Sequence, residues 1–371
     1  MKHRKMASAL LAICVLAVLP AGCRAADTGS SDEEVAGIET ENQDENTVVV
    51  EPGEQIVKLE DGLSVVAFAG NDGFARFLAQ GGASSDRDVI RFLADSLGDD
   101  VLGLLFGNNP FGCSTLAAAG ENGEALFGRN FDWNACDALI VLSTPEDGYA
   151  SISTVNRDFI DQSGVPVKRL SDSIQALIAL YAPLDGMNEA GLAVSVNMIQ
   201  DSDTIDQNTE KPDITTTTAI RLLLNQAADV KEALELLEQY DMHSSMGMMV
   251  HFAIADRGGR SVAVEYVDNE MVVTETPIVT NFYLAEGEKY GIGTSQSHTR
   301  YEILEKTLSG QDSFTMEDMR DALSSVSKKN FNEFESTEWS VVFDLTDGIA
   351  RYHHRENYGT GYTVRIGGSG R

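Results

Sequence analysis

Cys113, Arg129 and Asp132 have the side-chain types needed to make and use a nucleophile. A thiol attacks as its thiolate, a neighbouring cation favours that form, and a carboxylate can orient a base. A hairpin would bring the three together. Residues 113–133 read as a small, apolar strand, a polar turn at Glu121-Asn122-Gly123, and a second strand. Asn and Gly tolerate the positive φ of a tight primed turn, which makes Asn-Gly between apolar runs a strong hairpin signal. Taken alone, the same residues are equally those of a buried packing cysteine with an ion pair at a strand end. A disulfide between Cys113 and Cys136, the two cysteines of the folded part, is the other structural alternative.

The residue before the thiol makes the chemical reading specific. Gly112-Cys113 follows the turn-rich join Gly107-Asn108-Asn109-Pro110. A thiol can attack the carbonyl before it, and glycine offers little steric resistance there. Cleavage would leave Cys113 with a free α-amine, whose ordinary pKa of roughly 7.7–8.0 suits a general base at neutral pH. Nucleophile and base would then belong to one residue, and no catalytic histidine is needed.

The chain has 371 residues, enough for two ordinary domains or one large one. Its net charge of −31 argues against nucleic acid, which requires basic patches. Much of that charge is local, since Asp27 to Asp61 holds twelve acids against the single base Lys58. Met1-Lys2-His3-Arg4-Lys5 is a basic leader start, and Leu10 to Leu19 an apolar run too short to span a bilayer. Pro20-Ala21-Gly22-Cys23 resembles a bacterial lipobox, which implies acylation of Cys23, with cleavage near Ala25-Ala26 as the alternative. Both readings export the protein, and the first anchors it to a membrane. The expected organisation is a signal peptide over 1–23, a disordered acidic tether over 24–53, a prosegment over 54–112 and a catalytic domain over 113–371.

Within the prosegment, Ile56 to Ala69 reads as a hairpin turning at Asp61-Gly62. A capped helix follows from Ser85, then a short second helix over Val101 to Phe106. Beyond Cys113, hairpins alternate with helix pairs over Thr216–Ala227, Val230–Tyr240, Arg300–Leu308 and Thr315–Ser325. That order predicts α+β with layered antiparallel sheets, not a doubly wound parallel sheet. His353-His354 has no acid or cysteine at metal spacing and reads as a surface pair, so no metal or other cofactor is expected. Met246-Gly247-Met248-Met249 reads as core strand or as part of an acyl pocket.

Cys113 with Gly128-Arg129-Asn130-Phe131-Asp132 resembles the mature start of the choloylglycine hydrolase and acid-amidase group. These are Ntn hydrolases of linear amides, among them bile salt hydrolases, penicillin V acylases and acid ceramidase. Asn188-Glu189-Ala190-Gly191-Leu192 with Asn197, then Thr280-Asn281, then Ser297-His298-Thr299-Arg300-Tyr301 extend the resemblance over 113–371. It implies a four-layer αββα sandwich with Cys113 as nucleophile and its α-amine as base. It further implies that Asp132 holds that amine and that Arg129 and Arg300 polarise the thiol. The Asn281 side chain and the Asn197 backbone N–H would form an oxyanion hole, each donor worth about 3 kcal/mol. The partner would be a small-molecule N-acyl amide with an apolar acyl chain, and an oligomer is compatible with the sequence. The prosegment looks more like acid ceramidase, whereas Asn197 occupies a place where bile salt hydrolases carry Asn and many penicillin acylases Tyr. Bile salt hydrolase or penicillin V acylase activity, acyl transfer, and non-catalytic solute binding by a lipoprotein remain the alternatives.

Overall fold

The chain is described here from a computed structural model covering residues 38–39, 46–53, 55–97, 112–161, 167–199, 203–289, 292–329 and 336–367. The amino-terminal part gives β1 (Ile38–Glu39), β2 (Asn46–Val48), β3 (Val57–Glu60), β4 (Leu63–Gly70), α1 (Phe74–Ala79) and α2 (Asp86–Leu97). Next come β5 (Gly112–Ala119), β6 (Ala125–Trp133), β7 (Ala138–Pro145), β8 (Ser151–Asn156), α3 (Arg157–Asp161), α4 (Asp172–Ala179), β9 (Asp185–Asn188) and β10 (Leu192–Met198). The middle holds β11 (Asp213–Thr215), α5 (Thr216–Gln226), α6 (Val230–Leu237), β12 (Asp241–His243), β13 (Val250–Asp256), β14 (Ser261–Val267), β15 (Glu270–Glu275) and β16 (Ile278–Val279). The chain closes with α7 (Ser295–Leu308), α8 (Met316–Ser325), β17 (Ser336–Asp344), β18 (Ile349–His354) and β19 (Tyr362–Arg365).

Two large sheets dominate. One has the order β1-β2-β19-β18-β17-β6-β5-β16, the other β15-β14-β13-β10-β9-β8-β7-β4-β3. Almost every pairing is antiparallel, as the hairpin-rich sequence predicts. The α7–α8 pair covers the first sheet, with Leu116, Leu126 and Val342 packed against Leu304, Met319 and Leu323. Helices α5 and α6 pack on β9, β10 and β13 of the second sheet. The result is helix, sheet, sheet, helix. The hairpin carrying the site is β5–β6, in register from Gly112 opposite Asp132 to Ala119 opposite Ala125. Its turn is wider than a two-residue Asn-Gly turn. Only Gly123 has positive φ, and the Glu124 carboxylate accepts from the Asn122 N–H and its side-chain amide, holding a longer loop.

The amino-terminal segment joins the second sheet through β3 and β4. The β3–β4 hairpin forms as read, but β4 lies parallel to β7, from Leu63 opposite Ala138 to Gly70 opposite Pro145. Leu63 to Ala67 are all buried, a run apolar but for Ser64, as suits a parallel strand covered on both faces. Part of the expected acidic tether is ordered too. β2 lies between β1 and β19, pairs parallel with β19 and buries β-branched Val48. The expected helix over Val101 to Phe106 lies outside the described residues. Asp72 forms a buried ion pair with Arg221 of α5, and Phe74, Phe77 and Phe92 cluster with Tyr181. Residues 36–371 are one compact unit.

His353 and His354 are not a surface pair. Both are buried on β18, where His353 meets the Thr360 carbonyl and His354 faces Glu60. Burial pulls the His353 imidazole down to about 4 and lowers His354 as well. Cys113 and Cys136 are both free and buried, so no disulfide links them. Among the described residues no helix is long and apolar enough to cross a membrane, and no group of His, Cys, Asp or Glu is placed to hold a metal ion.

Asp86, at the start of α2, accepts a hydrogen bond from the Met246 N–H, and burial pushes its carboxyl up to about 6. A raised carboxyl binds its proton more tightly folded than unfolded. Stability is therefore lost as pH rises from about 4 through 6, and the cost persists above that window. Asp86→Asn keeps an acceptor for Met246 without the charge. It is expected to stabilise the fold by on the order of 2 kcal/mol at pH 7.5 and by much less at pH 4.5. Urea unfolding at both pH values measures this, and a destabilised variant at pH 7.5 would refute the charge account.

Candidate active site

Cys113 stands near the start of β5, completely buried. Its sulfur accepts a hydrogen bond from Arg129 Nη2 at 3.3 Å. Its backbone N–H donates to Asn281 Oδ1 at 3.0 Å, and its carbonyl accepts from Arg300 Nη1. The site is thus assembled on one residue's sulfur, nitrogen and oxygen.

Arg129 leaves its own sheet to reach the other. Besides the sulfur, it donates to Asp185 Oδ2, the Leu184 carbonyl and the Val196 carbonyl, with both ionic partners fully buried. Asp185 also accepts from Trp339 Nε1, whose ring stacks on Phe131 at 3.9 Å. Nothing in the sequence marked Asp185 as part of the site. The available clue was that a buried arginine requires an acid close by.

Asp132 accepts from Thr337 Oγ1 at 2.7 Å through Oδ1. Its Oδ2 lies 3.7 Å from Arg300 Nη1 and 3.9 Å from Lys328 Nζ. Lys328 and Thr337 also escaped the sequence reading, because they join through long-range strand pairing with no local motif. Gly112 lies opposite Asp132. A Cβ built on Gly112 would fall 2.6 Å from Lys328 Nζ and 3.1 Å from Asp132 Oδ2. Only glycine passes there without displacing the charged pair.

Asn281 is oriented by three partners. Its Oδ1 accepts from the Cys113 N–H and from Arg300 Nη2, while Nδ2 donates to the Met198 carbonyl at 2.7 Å. An amide nitrogen carries two hydrogens, so Nδ2 keeps a further donor for a developing oxyanion. The side chain of Asn197 is spent on Thr115 Oγ1 and the Val279 carbonyl, tying β10 to the β5–β16 pair. The main chain of Asn197 stands opposite His251 in the β10–β13 ladder, in phase with the Ile199 N–H to Met249 carbonyl bond, so its N–H is engaged there and does not face an oxyanion. Arg300, on the second turn of α7, grips the Cys113 main chain, Ser114 Oγ, Asn281 and Ser297 instead of the thiol.

Both arginines favour the thiolate, as the residue types suggest, but burial outweighs them. Burial pushes the Cys113 thiol above its ordinary value, and Arg129 and Arg300 recover only part of that while Asp132 adds to it. The larger effect is desolvation of a fully buried sulfur; the same two arginines also pair with carboxylates, Arg129 with Asp185 and Arg300 with Asp132.

A cavity of about 310 Å³ lies near the Asn281 segment, lined by Ile205, Met249, Tyr266 and Tyr283 together with Asp203 and Lys289. Met249 meets the end of β10 through the Ile199 N–H, and Tyr283 lies two residues beyond Asn281. Cys113 itself is not part of the lining.

With this geometry in hand, the similarity to known proteins can be placed. Residues 179–357, just under half of the chain, match the family described as acyl-coenzyme A:6-aminopenicillanic acid acyl-transferase. That range holds Asn197, Asn281 and Arg300 and stops short of Cys113, Arg129 and Asp132. Two variants of the conjugated bile acid hydrolase of Clostridium perfringens share the fold. One has a TM-score of 0.53 at 18% identity, covering 70% of this chain and 93% of that one. The other has 0.51 at 17% identity, covering 70% and 94%. Penicillin V acylase from Agrobacterium tumefaciens is a more distant likeness, with a TM-score of 0.48 at 18% identity, covering 65% and 83%. No curated protein matches the sequence. The fold is that of the conjugated bile acid hydrolase, one of the group that the sequence resembles.

Removing Arg129 would strand Asp185 in a dry interior. In a Cys113→Ala background, Arg129→Met is expected to cost about 3–5 kcal/mol. Adding Asp185→Asn should return at least about 1 kcal/mol of that. Urea unfolding of single and double variants measures the coupling, and equal losses would contradict it.

Proposed function

We propose that this protein is a self-processing cysteine Ntn hydrolase that cleaves the linear amide bond of N-acyl amides. One observation carries the reading: sulfur, nitrogen and carbonyl of Cys113 each meet a separate polar partner, behind a glycine held against Asp132. In the maturation step, Sγ adds to the Gly112 carbonyl carbon and the Gly112–Cys113 C–N bond breaks. The nitrogen takes the proton that sulfur gives up. Water then hydrolyses the thioester, leaving Gly112 as a carboxylate and Cys113 with free amine and thiol.

Turnover repeats this chemistry on a substrate amide. The α-amine accepts the thiol proton as sulfur attacks, and passes it to the leaving amine. Asn281 Nδ2 serves the oxyanion, and Asp132 holds the α-amine. Water releases the acyl group from sulfur as a carboxylic acid. The cavity near Asn281 offers both apolar and charged walls, which suits an amphipathic N-acyl amide. Acyl transfer, with an amine in place of water, is a second reading favoured by the acyl-transferase family match. Export by the leader and a lipid anchor on Cys23 belong to this proposal and rest on the sequence alone.

Intact mass and amino-terminal sequencing of wild type beside Cys113→Ala test the reading. A new terminus at Cys113 is expected in wild type only, and Asn281→Ala in the cut enzyme should lower kcat by about 10²–10³. A product amide formed in the presence of added amine would favour transfer. A wild-type chain uncut at acidic and neutral pH would contradict the mechanism and leave solute binding. Detergent partitioning should retain wild type and release Cys23→Ala, and no difference would remove the anchor.

A further inference from the structure

Two fully buried titratable side chains take no part in the mechanism above. His251 of β13 and Glu265 of β14 face each other across adjacent strands, with Nδ1 3.0 Å from Oε1. The other ring nitrogen, Nε2, lies 2.9 Å from the Thr280 carbonyl. Glu265 in turn accepts from the Leu284 N–H at 2.8 Å and the Ala285 N–H at 2.6 Å. The pair thus holds the chain on both sides of Asn281, at residue 280 and at residues 284–285.

A carbonyl oxygen only accepts, so Nε2 donates to Thr280. With Glu265 ionised and already receiving two backbone N–H groups, Nδ1 donates as well, and the ring is then the imidazolium. Burial pushes Glu265 up, but His251 and the two N–H groups outweigh it and hold the carboxyl below its usual value. A buried ion pair is costly to keep unless its geometry is used. Here it sets a short stretch of non-strand backbone whose one site residue is Asn281.

We propose that His251 and Glu265 are positioning residues for the reaction at Cys113, an imidazolium–carboxylate clamp that fixes where the Asn281 amide meets the reacting carbonyl. This rests on the amide-hydrolase reading of the site, and it predicts an effect on the chemical step with little effect on binding. A positioned donor contributes to the transition state far more than to the ground state.

The test has two arms. In wild type carrying ¹⁵N-histidine, the resonance lost in His251→Gln should show both ring nitrogens protonated at pH 7. A single protonated nitrogen would overturn the clamp, whatever the enzyme does. In the second arm, Glu265→Gln and wild type are compared as cut enzymes on a fluorogenic N-acyl aminocoumarin, per mole of cut chain. kcat is expected to fall 10–100-fold with KM within threefold, at a melting temperature still well above that of the assay. Unchanged kcat in the folded variant, or a loss confined to KM, would overturn the proposal. Wild type without activity would instead be a failure of the hydrolase reading, distinguishable because the first arm needs no turnover.

Discussion

The arrangement depends on one buried guanidinium. Arg129 rises from the first sheet and is satisfied almost entirely by the second, through Asp185 and the carbonyls of Leu184 and Val196. Its Nη2 also reaches the Cys113 sulfur, while Nε is buried without a hydrogen-bond partner. A charge this deep persists only when paired and hydrogen-bonded, so the two sheets must meet in one registry for the fold to close. The same closure delivers a cation to the thiol. Stability and chemistry therefore rest on the same contact.

The remaining charges follow a similar economy. Arg300 reaches the main chain of Cys113 and the Asn281 amide, and Asp132 is held between Thr337, Arg300 and Lys328. Each cation has a carboxylate close by, and burial raises the thiol above its ordinary value despite both arginines. A free amine at Cys113 would change that balance by supplying a proton acceptor on the same residue. The restraint of the thiol is thus relieved by the cut that the proposed mechanism requires.

Much of this was legible in the residues. The hairpin from Cys113 to Trp133 and the small residue before the thiol carry local signals: turn chemistry and residue size. Asp185, Thr337 and Lys328 do not, because they enter through pairings more than fifty residues away, and sheet registry leaves no motif at the partner. The His353-His354 pair misled for a related reason. Alternation along a strand says which residues share a face, not whether the far face is covered, and here both histidines are buried. The parallel β4–β7 pairing was hidden because a short apolar run looks alike in a hairpin and in a covered parallel strand. Asn281 was found from its resemblance, whereas the His251–Glu265 brace behind it carries no motif.

The most direct test of the central claim, that Cys113 is the covalent nucleophile, is the mass of the 113–371 fragment. The cut enzyme would be mixed with a slow N-acyl amide and quenched in acid within the first turnover. The account predicts an adduct equal to the acyl group, mapped to Cys113 by fragmentation and released by hydroxylamine as a thioester must be. Turnover with no adduct on Cys113, or an adduct that survives in Cys113→Ala, would contradict it.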